Sequence, residues 1–176
     1  MPPAQQIAAV YGVIVLIVYG WTLYWFAWKL PSWLYFLNLN EILVSLAYSL
    51  AVNFIESLIV LAVPFLVSLI LPPTWFRDHF EALGTFLVIL LLVAVQRYLS
   101  AIITIQGFPP GLARSAILYV AGIVVLVFLA SRIKFFLKVM EVIANRAVIF
   151  LYILIPLSFI SLLVVFIRNI VEAFYV

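Results

Sequence analysis

Polar positions are almost absent from five stretches of the 176-residue chain: 7–28, 42–71, 83–105, 116–133 and 147–167. A helix rises about 1.5 Å per residue, so each stretch approaches or exceeds the ~20 residues that carry an α-helix across a ~30 Å hydrocarbon layer. The breaks between them have the chemistry of helix ends. Pro72-Pro73 is followed by the charged run Arg77-Asp78-His79-Phe80-Glu81, and Gly107-Phe108-Pro109-Pro110-Gly111 separates the third stretch from the fourth. Proline removes a backbone donor and glycine relaxes the backbone, so both fall where helices stop. The pattern predicts an all-α integral membrane helical bundle of five transmembrane helices, forming a single domain over residues 1–176. Pro64 and Pro156 lie inside spans, where kinks are expected.

Two shorter segments have a different rhythm. Projected at 100° per residue, the stretch 134–146 separates Phe135, Phe136, Val139, Val142 and Ile143 from Lys134, Lys138, Glu141 and Asn145. That division predicts an amphipathic interfacial helix between the fourth and fifth spans. The segment 31–39 is too short to cross and is expected to lie along the membrane surface. Near it, Trp21, Tyr24, Trp25 and Trp28 share one helical face and are followed by Lys29, Trp33 and Tyr35. Amphipathic rings settle at the headgroup level, so this cluster is read as one interfacial belt, with Trp75 and Phe76 marking the other. The first span lacks a basic leader and ends in aromatics, and it is read as a retained helix.

Composition then fixes the class. Hydrophobic residues make up 69% of the chain, charged residues only 9%, and mean hydropathy is +1.38, whereas a soluble domain carries roughly 25% charged residues. The lipid bilayer is therefore the first partner. There is no cysteine and one histidine, which removes thiolate chemistry, disulfides and His-rich metal or haem sites within this chain. No cofactor or metal is expected. The net charge of +3 is dispersed, with no basic run for nucleic acid. Arg77, Arg132, Lys134, Lys138 and Arg146 fall on the side of the N-terminus, against Lys29, Arg114 and Arg168 on the other. The positive-inside bias predicts a cytoplasmic N-terminus, in a membrane taken to be that of a prokaryotic cell.

A few residues then call for explanation. Glu56 lies in the middle of the second span, where an ionisable group is costly and needs a partner, a wet cavity or a proton. Ser45, Tyr48, Ser49, Asn53 and Glu56 fall within an arc of roughly 140°. On the third span Thr85, Gln96, Ser100 and Thr104 share a face, with Arg97 at its margin. Glu56 precedes Leu71 by 15 residues and Arg97 follows Leu83 by 14, so both lie roughly 21–23 Å from the shared loop. Antiparallel neighbours would bring them level. Glu56, Arg97, Asn53 and Gln96 are the candidate intramembrane polar site, read as a structural ion pair, the lining of an aqueous path or an interface with another subunit. Small residues four apart, Ala8 with Gly12 and Ala47 with Ala51, permit close helix approach.

Catalysis would have to use Arg77, Asp78, His79 and Glu81. They lack a second convergent group, a phosphate loop or a zincin motif, and no enzymatic role is expected. Two functions fit. One is a membrane-embedded subunit of a larger assembly, working with other membrane subunits or by self-association. The other is a small channel or transporter, alone or homo-oligomeric, with a polar path along the second and third helices.

Overall fold

A computed structural model describes residues 2–71, 76–105 and 111–174, without the side chains of 103–105, 112, 113 and 172–174. It is all-helical: α1 Ala4–Phe36, α2 Leu39–Ile70, α3 Phe80–Ile105, α4 Leu112–Ala130 and α5 Lys134–Phe174. Four of these are long and apolar enough to cross a membrane, and α4 is a shorter apolar helix of 19 residues. At about 1.5 Å per residue α4 reaches roughly 28 Å, close to the hydrocarbon thickness. The proline and glycine breaks at 72–73 and 107–110 and the marker Trp75 lie outside the described residues.

The helix ends follow local chemistry. The side chain of Glu41 accepts the backbone N–H of Asn38 at 2.8 Å, the reciprocal half of a capping box that starts α2 three residues before its carboxyl. Gly111 precedes α4 at φ 84°, a left-handed backbone that costs glycine little. The two prolines expected inside spans are carried within unbroken helices, Pro64 in α2 and Pro156 in α5.

Two surface segments depart from expectation. α1 does not end with its aromatic belt but runs through Pro31 to Phe36, so most of 31–39 continues the helix. Pro31 is exposed, and outside the hydrocarbon water can take up the carbonyl that a proline leaves unbonded. The amphipathic stretch 134–146 is helical, and it continues without a break into the last span as one 41-residue helix. Its apolar positions Phe135, Val139, Val142 and Ile143 are exposed while Leu137 and Ala144 are buried. Phe76 is a correction of another kind. It is buried and packs edge-on against Phe80 at 5.9 Å between ring centroids, so it belongs to the packed interior and marks no interface.

The chain resolves into two compact units, Met1–Val10 with Val63–Arg146, and Tyr11–Ala62 with Ala147–Val176. The boundaries fall inside α1, α2 and α5 rather than in a linker. In α5 the change comes between Arg146 and Ala147, where amphipathic periodicity gives way to an all-round apolar pattern. In the first unit Phe86 meets Phe136 edge-on at 4.8 Å, joining α3 to the amphipathic part of α5. Gly84 there faces Val10 and Pro64.

The second unit is built around Val15, Tyr19 and Leu50, with Tyr11, Val18, Leu46, Leu154 and Ile155 packed against them. α1 and α5 approach closely at Gly12. A Cβ placed there would stand 2.8 Å from the backbone carbonyl of Ala147 and 2.9 Å from the nitrogen of Val148. Backbone atoms cannot swing aside as a side-chain tip can, so the contact exists only because residue 12 has no side chain. Gly12→Ala is therefore expected to destabilise the protein by about 1–3 kcal/mol through overpacking, despite alanine's better helix propensity. Thermal loss of helical circular dichroism in detergent would show a lower midpoint than for Gly20→Ala, whose Cβ meets nothing within 4 Å.

Candidate functional site

A line of hydroxyls ties α1, α2 and α5 together in the second unit. On α1, Tyr11, Val15, Val18, Tyr19 and Thr22 fall within about 100° of arc, so one face carries both apolar packing and three O–H groups. Ser57 donates to the carbonyl of Phe54 at 2.8 Å, which leaves its oxygen to accept from Tyr11 at 3.1 Å. Ser158 likewise donates to the carbonyl of Leu154 at 2.8 Å and accepts from Tyr19 at 2.7 Å. Thr22 donates to Oδ1 of Asn53 at 3.0 Å, and Tyr48 donates to Oδ1 of Asn169 at 2.9 Å. Each α1 hydroxyl thus meets a neighbour whose own proton is used elsewhere or which is a pure acceptor. Phe54 and Phe159 pack beside the line at 5.2 Å between centroids.

Among the residues expected to form a site, Asn53 is part of this line and is only 3% exposed. Its partner is on α1 rather than on the third helix. Its Nδ2 is buried without a hydrogen-bond partner, and such an orphan donor costs about 1–3 kcal/mol relative to a satisfied one.

Glu56 has the opposite setting. It is exposed, on the same side of α2 as Val52, Ile55 and Ile59, which are 52%, 54% and 64% exposed. The polar arc read from the sequence is therefore divided, Asn53 turning inward and Glu56 outward. Arg97 is exposed on α3 and Gln96 beside it is half-buried. Arg97 belongs to the first unit and Glu56 to the second. Of the third-helix stripe, Thr85 is fully buried with no hydrogen-bond partner for its hydroxyl, and the side chain of Thr104 lies outside the described residues.

No family model, curated protein or solved structure matches this chain. What the arrangement can do is therefore read from its geometry alone. The charged turn after α2 holds Asp78 and His79 exposed, while Glu81 accepts a hydrogen bond from Nδ2 of Asn145, which also donates to the carbonyl of Glu141 at 3.0 Å. This contact fastens the amphipathic part of α5 to the start of α3.

Sequence reasoning missed Tyr11, Tyr19, Thr22, Ser57, Ser158 and Asn169. The shared arc on α1 was available as a signal, as was the 11-residue spacing of Ser158 and Asn169 on α5, which returns to within about 20° of the same face. In an apolar bundle a hydroxyl contact adds modestly to packing: interhelical hydrogen bonds average about 0.6 kcal/mol, whereas truncating a buried aromatic costs about 3–5 kcal/mol. Tyr19→Phe is thus expected to lower stability slightly, since Ser158 keeps its bond to Leu154, and Tyr19→Ala severely. Unfolding of reconstituted protein by increasing denaturing detergent, followed by circular dichroism, would separate the two variants.

Proposed function

We propose that this protein is a non-enzymatic, membrane-embedded subunit of a larger assembly, and that it meets a neighbouring membrane chain through the outer face of α2. The observation that carries this reading is the exposed carboxyl of Glu56 among exposed Val52, Ile55 and Ile59. Facing hydrocarbon, that carboxyl would carry a penalty of a few kcal/mol, on the order of 2.5–3.5 for an acidic group at a helix centre. A second chain that presents a hydroxyl, amide or cationic group at this depth removes the penalty and gains a directed contact. The flanking apolar side chains supply the packing surface around it.

Purification of the tagged protein from its native membranes in mild detergent, with mass spectrometry of stoichiometric companions, tests the assembly. The expected outcome is a defined set of partners, or a defined homo-oligomer, that Glu56→Leu loses while its own helicity is kept. Recovery of wild-type and variant alike as a lone chain would overturn it. A second reading, a small channel or transporter, draws support from the unsatisfied amide of Asn53 within the hydroxyl line. That function predicts that Glu56→Gln changes flux through reconstituted vesicles with assembly intact.

The proposed setting is a prokaryotic cell membrane with the N-terminus in the cytoplasm, supported by the excess of Lys and Arg on that side. The absence of native cysteine makes orientation directly readable. In intact cells, Lys29→Cys is expected to react with an impermeant maleimide, and Lys134→Cys only after permeabilisation.

A further inference from the structure

α3 and α4 enclose a groove that the hydroxyl line and the face of Glu56 do not use. Tyr98, seven residues before the end of α3, packs edge-on against Tyr119, seven residues into α4, at 5.2 Å between centroids. Equal offsets from a short connection are the signature of an antiparallel pair. Below this contact the helices part into an open groove of about 350 Å³, lined on α3 by Leu90, Ala94 and Arg97 and on α4 by Leu118, Gly122 and Leu126. Gly122 in the lining faces open space, since a Cβ there would meet nothing within 4 Å. Among the described residues Arg97 brings the only charge to the lining, at the end nearer the 106–110 connection.

We infer that this groove is a binding site for one anionic phospholipid of the bilayer, its phosphate on the guanidinium of Arg97 and one acyl chain lying between α3 and α4. Three observations converge on that ligand. The groove is apolar along its length and has its single cation at one end, the polarity of a lipid reversed. A volume of about 350 Å³ is at the small end of the range for small-molecule sites, whereas a transmembrane helix is about 10–12 Å across.

Depth also fits. Arg97 lies eight residues, about 12 Å, from the end of α3, and the 26-residue helix exceeds a ~30 Å core by about 9 Å. Its Cα then sits roughly 7–8 Å inside the hydrocarbon, from which an arginine snorkels to the headgroup level.

Guanidinium matches phosphate with two parallel hydrogen bonds. A zwitterionic choline lipid brings its own cation beside the phosphate and is disfavoured. Arg97 then takes its counter-charge from the lipid phosphate.

The test is native mass spectrometry of the full chain, reconstituted in equimolar phosphatidylglycerol and phosphatidylcholine and extracted in mild detergent. Wild-type protein is expected to retain one phosphatidylglycerol per chain. Arg97→Gln should lower that retention about tenfold, the effect of losing a charge-assisted hydrogen bond. Gly122→Leu, which keeps the charge, improves helix propensity and fills the groove, should lower it as well. Arg132→Gln, at the far end of α4 over the ring of Phe128, should leave it unchanged.

Equal retention of both lipids by the wild type, or phosphatidylglycerol retained undiminished by Arg97→Gln and Gly122→Leu, would overturn the proposal. So would efficient disulfide formation between chains by Ala94→Cys, because a second copy would then cover the groove.

Discussion

Inside a bilayer no water is available to satisfy a free N–H or C=O, so each spanning segment must close its hydrogen bonds within itself. The whole molecule follows from that constraint. It turns every apolar stretch into a helix and leaves the helices to be sorted by side-chain chemistry, because lipid is as apolar as the residues that face it and gives no hydrophobic drive for association. In the second unit two devices replace that drive. A glycine lets α1 and α5 touch at backbone distance near Ala147, and hydroxyl donors on α1 and α2 find acceptors on neighbouring helices.

The same constraint explains why the few polar residues have such different settings. A serine can satisfy its own proton on a carbonyl of its own helix and still accept from a neighbour, as Ser57 and Ser158 do. It therefore costs little to bury. A carboxylate accepts only and carries charge, so it is buried at a profit only where a donor faces it. Glu56 has been left on the outside of its own chain, and Arg97 opens onto a groove at its surface. Under the proposals made for them, a neighbouring subunit would answer the first charge and a lipid phosphate the second.

Helix continuity adds a further feature. α5 is 41 residues long, about 62 Å if straight, and its amphipathic part, 134–146, is followed without a helix break by its spanning part. The first is fastened to α3 through Glu81, Asn145, Phe86 and Phe136. The second carries Ser158 and Asn169 to α1 and α2.

Residue chemistry along the chain was enough to determine the helical class, the membrane setting and most helix limits, because the length of an apolar run and the cost of free backbone groups are properties of the chain itself. It also determined that Glu56, Asn53, Gln96 and Arg97 needed an explanation. It could not determine which neighbour each polar face would meet. Asn53 and Glu56 share an arc of α2, yet one is bound to Thr22 and the other is exposed. Helix rotation and partner choice are set by contacts made at a distance in sequence, such as the fit of Gly12 on Ala147 and of Tyr19 on Ser158. Only the tertiary structure decides these, since in an apolar solvent hydrophobicity no longer distinguishes an inward face from an outward one.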